Sequence, residues 1–122
     1  MLTLLASLLL GCGGGRDVKT LGVEEFAKMA AQKDVRLIDV RTPHEYAEGH
    51  LAGAENIDVK AADFAERIKG VDGKVAVYCR GGRRSMKAAE QLVAQGCQVY
   101  NLDGGIMAWQ KAGKPTTDSD NQ

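Results

Sequence analysis

The chain opens on an uncharged apolar run at residues 2–10 and then alternates short hydrophobic blocks with amphipathic segments. Val23, Phe26, Ala27 and Ala30 recur at helical spacing and predict a first amphipathic helix. Residues 35–40 form a short apolar block that predicts a buried strand. Thr42-Pro43-His44-Glu45 then reads as a helix start, with Thr42 able to cap, Pro43 suited to the first turn and Glu45 at the capping-box position. Gly49 ends that short helix, and residues 54–57 predict another short strand. Ala61, Phe64, Ala65 and Ile68 share one helical face, with Gly70 as its C-terminal cap. Val75-Ala76-Val77 is the near-continuous apolar run of a central parallel strand. A helix over 85–95 follows, carrying Met86, Ala89, Leu92 and Val93 on one side. Gly96 closes it, 98–102 is a last strand, and Gly104-Gly105 turns into a short helix through Trp109. Strand alternating with helix predicts an α/β fold around a largely parallel sheet. The tail from Lys114 is polar, contains Pro115 and is expected to fray.

Composition narrows the classes of function. A length of 122 residues suits one domain with a proper core, and 44% hydrophobic with 26% charged residues is ordinary globular usage. Lys+Arg and Asp+Glu are both 16, so no chain-wide charge favours nucleic acid, and 5% aromatics argues against a base-stacking surface. The cysteines at 12, 79 and 97 form no CxxC and cannot all pair, and only His44 and His50 could join a metal site. Neither a disulfide framework nor a metal nor a cofactor is expected, and the protein is expected to be a monomer.

All charged residues lie at Arg16 or later, so the run at 2–10, with six leucines, stands apart. It is about half the roughly 20 residues that span a bilayer, and has the length of a signal-peptide core. It ends in Leu9-Leu10-Gly11-Cys12 and then Gly13-Gly14-Gly15, with no basic residue before it. That ending resembles the lipobox of bacterial lipoproteins, in which cleavage leaves the cysteine lipidated and N-terminal. The resemblance implies a signal segment at 1–11, lipidated Cys12 with a glycine-rich tether at 12–17, a domain at 18–113 and the polar tail at 114–122. It also implies a lipid anchor on the periplasmic side of a bacterial cell envelope. Gly13 is not the aspartate associated with inner-membrane retention, which leans toward the outer membrane. The alternative is a leucine-rich first helix with Cys12 incidental.

The segment richest in chemistry is Tyr78-Cys79-Arg80-Gly81-Gly82-Arg83-Arg84-Ser85. It places a cysteine at the carboxyl end of the central strand, the edge where open α/β sheets bind ligands. Gly81 and Gly82 let successive N–H groups curl into an anion nest, and the following helix adds the positive end of its dipole. Arg80, Arg83 and Arg84 add charge that cannot be titrated away. Each effect favours thiolate, so the Cys79 pKa is expected well below the free-thiol value of about 8.5. A thiolate so placed is a nucleophile for an anionic substrate. The loop lacks the patterns of the phosphate-binding and dinucleotide-binding loops.

These residues carry a resemblance to the single-domain rhodaneses (thiosulfate sulfurtransferases). The matching pieces are Leu37-Ile38-Asp39-Val40-Arg41, Glu45-Tyr46, Gly49-His50-Leu51-Ala52-Gly53-Ala54, Asn56-Ile57, the loop from Cys79 to Ser85, and Tyr100-Asn101-Leu102-Asp103-Gly104-Gly105 with Trp109, in the family's order over about residues 20–113. The resemblance implies a rhodanese-like fold: a central, mostly parallel sheet of about five short strands with helices on both faces. It implies ping-pong sulfur transfer, from a small anionic donor such as thiosulfate to a thiol or cyanide acceptor, through a persulfide on Cys79. The persulfide would rest on backbone N–H groups of the loop from Arg80 to Arg84. Arg80 and Arg83 would steer and hold the donor's sulfonate, with Arg84 as a third candidate. Asp39, Arg41, Glu45 and Ser85 are supporting residues, with Arg41 placed to pair with Glu45. His50 is expected to be a buried hydrogen-bonding residue, Cys97 a small core residue, and Trp109 a core plug. A sharper alternative makes Cys97 a resolving partner for Cys79.

Two other functions compete. Related phosphatases and arsenate reductases resemble Cys-x5-Arg, but the position six after Cys79 is Ser85 and Arg84 comes one residue too early. A persulfide carrier or a non-catalytic binding module is the other alternative, and retention of Cys79 among its arginines favours the enzyme.

Overall fold

Strands β1 (Lys19–Leu21), β2 (Val35–Asp39), β3 (Glu55–Asn56), β4 (Lys74–Tyr78) and β5 (Gln98–Leu102) form one sheet in the order β1-β5-β4-β2-β3, with every pairing parallel. Helices α1 (Val23–Ala30), α2 (Pro43–Glu48), α3 (Phe64–Arg67), α4 (Arg83–Ala94) and α5 (Gly105–Lys111) cover both faces. The computed structural model describes residues 17–119, so the apolar run and Cys12 lie outside the described residues.

Alternation along β4 decides which helices meet which side of the sheet. Val75, Val77 and Cys79 join Ile38, Val40 and Val99 on one face, under Phe64 and Ile68 and the Ala88, Ala89 and Leu92 side of α4. Ala76 and Tyr78 point the other way, with Leu37 and Leu102, against Phe26 of α1 and Ile106 and Trp109 of α5. Burying Val75, Ala76, Val77 and Tyr78 completely explains why this strand reads as a continuous apolar run. Trp109 is a core residue, as expected.

Strand order reverses between β2 and β4: the chain leaves β2 toward β3 and leaves β4 toward β5. The carboxyl ends of β2 and β4 therefore flank the crevice in which such sheets bind ligands.

Several elements depart from the sequence pattern. β1 is an edge strand paired only with β5, and its Lys19 and Thr20 are exposed, so it carries no apolar signature. The helix predicted from Ala61 begins at Phe64, because 61–63 form turns and only Phe64 and Ile68 of that face are buried. α4 starts at Arg83, two residues early, with Gly82 as its N-cap. The described part of the tail, 114–119, is held where fraying was expected. The buried Trp109 indole needs an acceptor, and its Nε1 donates to Pro115 O at 2.9 Å. His50 and Thr117 also exchange both backbone hydrogen bonds at 2.8 Å.

Candidate active site

Cys79 directly follows β4, turned to the α4 side and buried. The chain then reverses into α4 through Gly82, whose φ of +110° is open to glycine at little cost. That turn aims the Gly82 N–H at Cys79 Sγ, at 3.0 Å. Ser85, buried on the first turn of α4, brings its hydroxyl to 3.3 Å from the same sulfur. Burial by itself would raise the thiol's pKa. It is outweighed by the Ser85 hydroxyl and the backbone N–H groups of Ser85, Gly82 and Gly81, and the net effect is a lowered pKa. Cys79 is a thiol prepared to ionise.

A second contact fixes the loop from below. The N–H groups of Ile106 and Met107 at the start of α5 donate to Cys79 O at 2.9 Å and Arg80 O at 3.2 Å. The approach is so close that a Cβ on Gly105 would lie 2.3 Å from Arg80 O. Gly105 is therefore part of the site's support, although its sequence context reads only as a turn.

The arginines divide by role. Arg80 and Arg83 are exposed and line the cavity over Cys79. Arg84 instead makes a two-pronged pair with Glu45, Nη1 to Oε1 at 2.7 Å and Nη2 to Oε2 at 2.9 Å. Glu45 also closes the expected capping box with Thr42. The Arg84 hydrogen bonds, against the opposing effect of burial and with help from Thr42, hold the Glu45 carboxyl at about 2. Arg84 remains near enough to Cys79 that the thiolate's charge helps raise the arginine's own pKa.

This arrangement corrects the expected Arg41–Glu45 pair. Arg41 precedes the N-cap Thr42, so its side chain is not on the helix face that carries Glu45. It folds back on Asp39 instead: Nη2 lies 2.7 Å from Asp39 Oδ2, and Nη2 also donates to Gly49 O at 2.7 Å. The Arg41 N–H donates to Asp39 Oδ1 at 2.9 Å. Asn56 Nδ2 donates to the carbonyls of Asp39 and Arg41 at 3.0 and 2.9 Å. Asp39 is fully buried and Arg41 nearly so, making this a structural clamp at the end of β2.

His50 is the expected buried hydrogen-bonding residue, with Nδ1 2.8 Å from Tyr46 O. Cys97 is a core residue whose thiol lies 3.3 Å from Val71 O. It cannot serve as a resolving partner for Cys79. Lys74 pairs with Gln98 in the parallel β4–β5 register, so the two cysteines lie at opposite ends of those strands. That separation is roughly 20 Å, far beyond disulfide reach.

Above the thiol is a cavity of about 620 Å³ lined by Val59, Lys60, Cys79, Arg80, Gly81, Arg83, Arg84, Lys87 and Gln91. Val59, Lys60, Lys87 and Gln91 were not marked by the sequence as site residues. Among the described residues no group of His, Cys, Asp or Glu is placed to hold a metal ion.

The rhodanese-like domain model matches residues 22–112, spanning every element of the site. The chain belongs to the rhodanese-like family. Among rhodanese relatives it is 40% identical over 87 residues to the thiosulfate sulfurtransferase GlpE of Pseudomonas fluorescens, covering 70% of this chain and 79% of that protein. It is 39% identical over 100 residues to a tRNA uridine(34) hydroxylase of Cytophaga hutchinsonii, covering 77% of this chain but 32% of the longer protein. The crystal structure of a rhodanese-related protein from Thermoplasma volcanium superposes with a TM-score of 0.73 at 28% identity, covering 83% of this chain and 99% of that one. The rhodanese-like α/β fold expected from the sequence is the fold observed.

Proposed function

We propose that this rhodanese-like domain is a sulfurtransferase that carries sulfane sulfur on Cys79, with thiosulfate as a donor. The carrying observation is the sulfur of Cys79 resting on the Gly82 N–H and the Ser85 hydroxyl, at the floor of a cavity lined by cations. The Cys79 thiolate attacks the outer sulfur of thiosulfate. The S–S bond of the donor breaks and sulfite leaves with the bonding pair. The added sulfur bears negative charge, which the N–H groups of Gly81, Gly82 and Ser85 are arranged to stabilise. Arg80 and Arg83 attract and hold the sulfonate. A thiol or cyanide then attacks the outer sulfur and Cys79 leaves as thiolate, so no general base is needed.

The same geometry speaks against phosphatase chemistry. Arg84 is committed to Glu45, and Ser85 at the sixth position is committed to the sulfur. The deciding assay compares thiosulfate-dependent thiocyanate formation with hydrolysis of p-nitrophenyl phosphate. Thiocyanate turnover without phosphate release is the expected result. Phosphate turnover without thiocyanate would overturn the assignment, and a persulfide that forms but does not turn over would make the protein a carrier.

We also propose, on the residue pattern around Cys12 alone, a lipid anchor on the periplasmic side of the bacterial envelope, with the outer membrane favoured. Cys12→Ser should move the protein from the membrane pellet to the soluble fraction. Unchanged fractionation would refute the anchor.

A further inference from the structure

Part of the wall of the cavity over Cys79 is an ion pair that faces two spaces. Arg84 lines that cavity, while Glu45 lines a smaller one of about 390 Å³ between α2 and α5, together with Glu48, Met107 and Gln110. The two-pronged contact between them separates the two. Glu45 is itself fixed from behind, its Oε1 accepting from the Thr42 N–H at 3.0 Å and the Thr42 hydroxyl at 3.1 Å. The carboxylate cannot follow Arg84 toward the sulfur without breaking the capping box of α2. At 22% and 24% exposed, Arg84 and Glu45 are shielded enough from water for the pairing to persist in salt.

That contact withholds one cation from the site. The cavity is lined by five, Lys60, Arg80, Arg83, Arg84 and Lys87. The Cys79 thiolate and Glu45 offset two of them, and a dianionic donor offsets two more. The occupied site is thus close to balance, with one positive charge over. Without Glu45 the surplus doubles, and it does so on a planar guanidinium whose freed N–H groups match two oxygens of a tetrahedral anion. Position matters as much as charge. Arg84 directly precedes Ser85, whose hydroxyl touches the sulfur, so a released Arg84 would favour an oxygen where the donor's outer sulfur must sit.

We propose that Glu45 sets the site's selectivity among anions: by holding Arg84, it keeps oxyanions with no transferable sulfur, such as sulfate and phosphate, from occupying the cradle of Cys79. Glu45 is a positioning residue and acts only through Arg84. This role rests on the sulfurtransferase reading and adds to it the group that discriminates between donor and inert anion. The same restraint lets sulfite, itself an oxyanion, leave once its sulfur is on Cys79.

The test measures how sulfate protects Cys79 of the reduced full chain from iodoacetamide at constant ionic strength. Glu45→Gln keeps the capping box, which glutamine can also close. It should lower the half-protecting sulfate concentration about tenfold, the worth of one charge-assisted contact. The Glu45→Gln/Arg84→Gln double variant replaces a neutral ion pair by a neutral pair of amides. It should return that concentration to within about twofold of the unaltered protein. Protection by sulfate that is no stronger in Glu45→Gln would overturn the proposal. So would a double variant that keeps the single variant's gain, since the effect would then not run through Arg84. A double variant that loses protection about tenfold would show Arg84 already holding oxyanions in the unaltered site, and would overturn the proposal even if the single variant did not fold. Thiosulfate loading of the unaltered protein, read by mass spectrometry, keeps the parent reading separate. A protein that never acquires sulfur would overturn the sulfurtransferase assignment whatever sulfate does.

Discussion

At the scale of single residues, the chemistry depends on two opposing effects at Cys79. Burial disfavours the thiolate, and the Ser85 hydroxyl with the N–H groups of Ser85, Gly82 and Gly81 favours it more. Ser85→Ala removes one of these donors without opening the core widely. Its apparent thiol pKa, read from the pH dependence of iodoacetamide alkylation, should rise by about one unit. Thiolate appears as pH rises through the pKa, so alkylation near neutral pH should slow by about tenfold. The nucleophile and its glycine-rich cradle are legible in the sequence because all their parts lie within seven consecutive positions. The partner of Glu45 is not legible, since Arg84 is 39 residues away and becomes adjacent only when α2 and α4 dock.

Elements, in turn, hold the loop still. Glu45 joins the capping box of α2 to the first turn of α4 through Arg84. Its carboxyl is held at about 2 against an ordinary 4.5, so the pair contributes full stability above pH 4.5 and loses it as pH falls toward 2. Glu45→Gln should cost about 1–2 kcal/mol at neutral pH in urea unfolding, and less as the pH falls below 4.5. The start of α5 provides a sharper test. Gly105 has φ +63° and no room for a Cβ beside Arg80 O. Gly105→Ala should therefore destabilise the fold by about 2 kcal/mol or more and slow persulfide formation in whatever folds. The alternation of apolar and polar positions predicts four of the five strands, because β2, β4 and β5 carry apolar residues and β3 is flanked by the buried Ala54 and Ile57. β1 is missed for the opposite reason: it lies at the sheet edge with its lysine and threonine in solvent.

For the whole molecule, equal numbers of acids and bases conceal an uneven distribution. The cavity over Cys79 collects five cations from the loop, from α4 and from the segment after β3, and Glu45 balances one of them. Encounter with a dianionic donor should accordingly be steered by charge. The second-order rate of persulfide formation with thiosulfate should fall severalfold between about 0.05 and 0.5 M salt, as stopped-flow measurement can show. Lys60 and Val59 belong to this cavity through tertiary folding alone, which is why no local pattern marks them.

The central claim is that Cys79, and not Cys97, carries transferable sulfur. Intact-mass and peptide mass spectrometry after incubation with thiosulfate tests it most directly. The protein should gain the mass of one sulfur atom on the peptide containing Cys79, Cys97→Ser should gain it equally, and Cys79→Ser should gain none. No gain on a folded protein with its Cys79 thiol intact, or a gain located on Cys97, would contradict the account.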